Sequence, residues 1–200
     1  DLVIGETTCD GKKKMFELIR HIKPTHIMDL PQQPDEVEAL DTWVNMVHKL
    51  KAFLEATFKV KITDERIESE IRETNLKNTL MNSFFKYLEH TPPLISWDEL
   101  YDIFCLELVS NSRELGRLLE GVTENLEKRI DNDEFIGNPY APRVLVSGCP
   151  VGGDALKVFK AIEDAGGVIV AMEACSGMKG YSIRIKEDSG DSVSALAEAY

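Results

Sequence analysis

The sequence predicts an α/β protein in which two short strand-and-helix segments flank a long helical insert. Three observations predict it. Glycine is absent from Lys12 to Leu115 but frequent on both sides, and a glycine-free stretch with few prolines favours helices. Apolar residues inside that stretch recur at helical spacing. At both ends, short apolar runs meet glycine-containing turns and then helix-like segments. Short buried strands alternating with helices imply a parallel, doubly wound sheet.

The elements follow in order. Leu2-Val3-Ile4 reads as a strand, 12–21 as a helix and 25–30 as the next strand. Val37, Leu40, Trp43, Val44, Val47, Leu50, Leu54 and Phe58 repeat with a period of about 3.6 after Pro34-Asp35, a helix start. A second long helix carries Ile67, Ile71, Met81, Phe84, Phe85 and Leu88, with Asp64 and Glu65 in its first turn. Thr91-Pro92-Pro93 stops it. Ser96-Trp97-Asp98-Glu99 has the spacing of a capping box and opens a further helix. Another runs through Leu115, Leu118, Leu119, Val122, Leu126 and Ile130. Residues 131–142 read as a linker, with a domain boundary there. The strand–turn–helix–strand pattern then recurs over 143–147, 148–153, 155–165 and 167–174, and 192–200 reads as a last helix.

Composition narrows the function classes. The chain has 200 residues, 43% apolar and 29% charged, and a net charge of −12. That supports a packed core and lacks a basic footprint for nucleic acid or anionic lipid. The longest strongly apolar stretch, 168–172, is far too short to span a bilayer. No basic segment followed by an apolar one stands at the start, so no secretory signal is visible. None of the four cysteines forms a C-x-x-C pair, which argues against a zinc ribbon and leaves a reducing cytoplasm as the expected setting. There is no initiator Met, Asp1–Gly5 reads as the inside of a strand, and the final helix stops without a cap. The expectation is a fragment of a longer protein.

Three cysteines share one context. Cys9 follows the first strand in Gly5-Glu-Thr-Thr-Cys-Asp-Gly11. Cys149 follows the third strand in Ser147-Gly-Cys-Pro-Val-Gly-Gly153, and Cys175 follows the fourth in Glu173-Ala-Cys-Ser-Gly177. In open α/β sheets, ligands bind beyond the carboxyl ends of the strands. Cys9 and Cys149 also precede helix N-termini, whose N–H groups and positive dipole end favour a thiolate. Thiolates gathered this way suit an iron–sulfur cluster. A lone cysteine at a strand end is usually a small hydrophobe; the repeated context is what raises the ligand reading. Cys105, within Ile103-Phe-Cys-Leu106, reads as a core residue of a helix. Glu6 and Glu173 read first as cap or hydrogen-bonding groups and second as proton donors. The 148–153 turn lacks a Walker Lys-Ser/Thr and the G-x-G-x-x-G spacing. Lys12-Lys13-Lys14 reads as a solvated face, with contact to an acidic partner or a CoA phosphate as the sharper alternative. The four histidines show no metal-binding spacing, and no site is assigned to them.

The segments Asp1-Leu-Val-Ile-Gly-Glu-Thr-Thr-Cys-Asp-Gly-Lys-Lys-Lys-Met15, Leu30-Pro-Gln-Gln-Pro34, Arg143-Val-Leu-Val-Ser-Gly-Cys-Pro-Val-Gly-Gly153 and Val170-Ala-Met-Glu-Ala-Cys-Ser-Gly177 resemble signatures of the 2-hydroxyacyl-CoA dehydratase / benzoyl-CoA reductase superfamily. Gly-Cys-Pro together with Cys-Ser-Gly looks most like its double-cubane cluster proteins. The resemblance implies parts of two Rossmann-like domains joined by a helical insert: 1–34 as the C-terminal part of the first, 35–132 as the insert, 133–142 as a linker, and 143–200 as the N-terminal part of the second. It implies an oxygen-sensitive iron–sulfur cluster, [4Fe–4S] or double-cubane [8Fe–9S], with Cys9, Cys149 and Cys175 as ligands and more cysteines outside this stretch. It also implies an ATP-hydrolysing iron–sulfur activator protein that injects low-potential electrons, a small-molecule or acyl-CoA substrate, and a homodimer. The irregular 181–190 stretch departs from the helix the superfamily places after Cys-Ser-Gly.

The first functional expectation is therefore an iron–sulfur reductase fed by the activator. The second is a subunit of a 2-hydroxyacyl-CoA dehydratase, which removes water through a ketyl radical. The third is a non-catalytic α/β binding module with buried thiols.

Overall fold

The computed structural model describes residues 1–174 and 177–200. They form an α/β fold with two small parallel sheets and group into two compact units, Asp1–Ile71 with Ile185–Tyr200, and Arg72–Arg184. Among the described residues no helix is long and apolar enough to cross a membrane.

The first unit begins with β1 (Val3–Glu6), α1 (Asp10–Ile19) and β2 (Thr25–Met28). The strands pair in parallel, with Val3 opposite Thr25 and Glu6 opposite Met28. A helix must return the chain between parallel neighbours, which is why α1 lies between them in sequence. α2 (Ala39–Phe58) follows, and α7 (Ser192–Ala199) returns from the far end of the chain. Met28, Trp43 and Ala197 bury together, and Ile71, Ile185 and Ala195 form a second small cluster. α2 starts later than its apolar spacing suggests. Turns closed by Glu36 N–H to Gln33 O and Ala39 N–H to Glu36 O precede it, and they leave Val37 97% exposed. The stretch after Ile185 is tied to α3 (Asp64–Phe85): Glu68 accepts a 2.7 Å hydrogen bond from the Asp188 N–H, and α7 is capped by Asp191, which accepts from the Ser194 N–H.

The second unit takes the C-terminal part of α3, then α4 (Trp97–Val109), α5 (Ser112–Asp131), β3 (Arg143–Gly148), α6 (Leu156–Asp164) and β4 (Val168–Ala174). β3 and β4 are parallel, in register from Arg143–Val168 to Gly148–Ala174 with one irregularity at Val144/Leu145. One contiguous core joins Phe84, Leu100, Phe104, Leu115, Phe159 and Met172. The expected capping box at Ser96 is present: its side chain accepts from Glu99 N–H while Glu99 reaches back to Ser96 N–H. Asn111 and Glu114 form the same device on α5. Residues 133–142 are irregular, with Ile136 N–H donating to Pro93 O at 3.0 Å. After β4, residues 178–182 make a single 3₁₀ turn and 183–191 stay irregular, as the sequence suggests.

Cys105 corrects its reading as a core residue, because it is exposed. α4 turns Leu100, Ile103 and Phe104 inward, and 105 falls off that face even though its neighbours are apolar.

Arg129 of α5 donates to both carboxylate oxygens of Glu99 and to Leu94 O. Burial pushes the Glu99 carboxyl up, but the bonds from Arg129 and Ser96 outweigh it and hold the group below its ordinary 4.5. A depressed carboxyl contributes stability above its unfolded value and loses it as pH falls through the folded value. The native protein is therefore expected to lose stability as pH drops below about 4.5. Arg129→Met should flatten that loss, and urea midpoints measured across the window check it.

Candidate functional site

Each sheet ends its two strands together; Glu6 and Glu173 stand at or near those ends, and Cys9 and Cys149 lie beyond them. In the first unit the register stops at Glu6–Met28. Thr7 is buried, and its hydroxyl accepts a 3.0 Å hydrogen bond from the Leu30 N–H. That bond ties the turn after β1 to the turn after β2. Cys9 is exposed and stands at the N-cap of α1 without using its side chain as a cap. Thr7→Val should leave the Leu30 N–H unpaired, a loss of about 1–3 kcal/mol that denaturant unfolding would read.

Glu6 is held within its own turn by hydrogen bonds. Its carboxylate accepts from the Thr8 N–H at 2.8 Å, from the Thr8 hydroxyl, and from Lys12 Nζ at 3.1 Å. The Thr8 hydroxyl is the first cause that holds this carboxyl below its ordinary value, although slight burial opposes it. Glu6 thus organises the turn as an anion.

An open cavity of about 440 Å³ lies against this turn, lined by Thr8, Leu30, Pro31, Gln32, Trp43 and Tyr200 among others. The Trp43 and Tyr200 rings stand 5.0 Å apart.

In the second unit Gly148 is opposite Ala174 at the end of the ladder. Cys149, the next residue, is exposed. Gly148 (φ +141°) and Gly153 (φ +55°) bracket its turn with backbone conformations that residues bearing a Cβ rarely adopt. Cys175, the residue after Ala174, lies outside the described residues, so its predicted place is an expectation from the register alone. Glu173 is exposed, accepts a 2.8 Å hydrogen bond from the Ser147 hydroxyl across the strands, and stands 3.9 Å from Lys179 Nζ. So exposed an ion pair adds little stability.

The segment after Gly177 is anchored. Tyr181 sits edge-on to Phe85, and its hydroxyl donates to Glu107 at 3.0 Å, where Lys77 also pairs at 2.8 Å. Burial first, and the Glu107 charge second, push the Tyr181 phenol well above its ordinary value.

The structure thus pairs Glu173 with Ser147 and puts Cys9 in the first unit and Cys149 in the second. Among the described residues no three His, Cys, Asp or Glu side chains gather as a metal site. Thr7 and Tyr181 were missed by sequence reasoning. A Thr-Thr pair before a helix could have flagged the first; the second depends on packing between distant segments.

The family described as "2-hydroxyglutaryl-CoA dehydratase, D-component" matches residues 1–200. The chain belongs to this family. The chain is also 32% identical over 201 residues to "Putative dehydratase subunit YjiM" of Escherichia coli (strain K12). That alignment covers 100% of this chain and 52% of the relative, so the chain spans about half the relative's length. Of the segments that carry the resemblance, 1–15 covers β1 and the turn after it, 30–34 follows β2, 143–153 covers β3 and the turn after it, and 170–177 begins within β4. Each of Cys9 and Cys149 is an exposed thiol beyond the end of a strand, a donor type that iron–sulfur clusters use.

Proposed function

We propose that the complete protein is an iron–sulfur enzyme of the 2-hydroxyacyl-CoA dehydratase superfamily, a reductase of small molecules that receives low-potential electrons from an ATP-dependent activator. The observation that carries the reading is the exposed thiol of Cys149 directly beyond the in-register end of β3 and β4. Cys9, at the equivalent place after β1, supports it. Cys9, Cys149 and Cys175 would hold the cluster, [4Fe–4S] or double-cubane, as thiolates. When bound, such a cluster supplies single electrons at a potential tuned by hydrogen bonds and exposure. The chain's own residues bind and orient. Thr7 locks the Cys9 turn to the Leu30 turn. Gly148 and Gly153 let the Cys149 turn form. Glu6 stands three residues before Cys9 and Glu173 two before Cys175, as acceptors that can relay a proton. The acidic chain would meet a complementary basic face on the activator, in the cytoplasm, as one half of a homodimer.

A second reading has its own support. The matched family and the YjiM relative both carry dehydratase names, which favours a subunit that removes water from a 2-hydroxyacyl-CoA.

Iron and acid-labile sulfide per chain, measured on the full-length protein purified without oxygen, test both. About eight irons support the double-cubane reductase and about four the dehydratase subunit, because each [4Fe–4S] unit is held by cysteine thiolates. Cys149→Ser should strip iron in the first case and matter less in the second. No iron after reconstitution would leave a binding module.

A further inference from the structure

The turn that carries Cys149 is not held by its own strand and helix alone. Val151 and Leu156, which flank it, pack against the core that contains Leu100 and Phe104 of α4. From the same helix, the Tyr101 hydroxyl reaches Gly152: a Cβ built on that glycine would stand 3.3 Å from the phenol oxygen. Gly152 has φ −177°, an extended backbone open to any residue, so what its missing side chain provides is room for that hydroxyl. Cys105 lies four residues after Tyr101, on the same face of α4 and exposed. The Cys105 side chain first, and slight burial second, push the Tyr101 phenol up. Tyr101 therefore reaches the Cys149 turn from α4.

We infer that Tyr101 is a positioning residue for the Cys149 turn: its hydroxyl, seated against Gly152, sets where the Cys149 sulfur stands. The functional meaning rests on reading Cys149 as an iron–sulfur ligand, while the contact itself does not. Groups that orient metal ligands from behind typically change metal affinity by 10–100-fold when removed.

The test uses the full-length protein with its iron removed. Alkylation by iodoacetamide is followed residue by residue, with Cys9 in the other unit as internal reference. Tyr101→Phe keeps the ring and removes the hydroxyl. It is expected to shift the Cys149-to-Cys9 rate ratio by about threefold or more, since thiol reactivity follows local environment. Gly152→Ala is expected to shift it too, and by less in the Tyr101→Phe background, because the added methyl then has space. A ratio unchanged by Tyr101→Phe, or a Gly152→Ala effect equal in both backgrounds, would overturn the inference. On iron-loaded protein, Tyr101→Phe should speed iron loss to a chelator about tenfold and move the midpoint potential. Should the parent protein bind no iron, the proposed function fails, and the alkylation ratio still decides the place of Tyr101.

Discussion

Gly177→Ala is expected to abolish the native ending of β4. A Cβ at this position would overlap the carbonyl oxygen of Met172 and lie 2.9 Å from its carbonyl carbon and 3.1 Å from the Ala174 nitrogen. All three are backbone atoms, so no side chain can swing aside. Left-handed geometry is not the reason, because φ is −121°; Gly177 lies directly against the backbone of β4. The turn is further closed by the Gly177 N–H, which donates to Ala174 O at 3.0 Å, and Met172 is 1% exposed inside the core. Accommodating a methyl means moving β4 or giving up the turn, with a loss above about 4 kcal/mol, in the range reserved for core and backbone disruption. Gly180→Ala is the control. Nothing lies within 4 Å of its Cβ, so its effect should stay within about 0.5 kcal/mol. Equal urea midpoints for the two variants would refute the steric argument. Iron content should fall in Gly177→Ala if Cys175 is a ligand.

Leu100→Ala is the second large effect. Leu100 is 0% exposed, one residue before Tyr101, within the cluster that joins α4 to Phe84, Leu115 and Phe159. Deleting a fully buried leucine side chain costs about 3–5 kcal/mol, from lost transfer energy plus the cavity left behind. Leu108→Ala on the same helix removes a side chain that is 75% exposed and should cost less than about 0.5 kcal/mol. Calorimetry on the pair separates burial from helix propensity, which is the same substitution in both. A small effect at Leu100 would mean that the core collapses around the gap.

The strands and caps were legible because their signals are local. Leu2-Val3-Ile4 before a glycine turn, and Ser96 three residues before Glu99, each carry their mechanism within a few residues. The Cys149 turn carries a local signal of the same kind, because strand, glycine and thiol follow one another directly. Cys105 was misread because α4 is apolar almost all round. Leu106, Leu108 and Val109 are all exposed, so the period alone could not say which face turns inward. The start of α2 slipped because Val37 fits the helical period while local turns hold it outside. Tyr101 against Gly152, and Thr7 against Leu30, were hidden because each joins segments far apart in sequence. Only the fold brings them together.

The two units differ in how the chain supplies them. Residues 72–184 are continuous, whereas the other unit needs 185–200 to complete what 1–71 began. During vectorial synthesis the continuous unit can gather all its core partners as soon as residue 184 has left the ribosome. Trp43 must wait for Ala197. The unit begun first therefore gains α7 only after residues 72–184 are complete, and until then Trp43 lacks one of its buried partners.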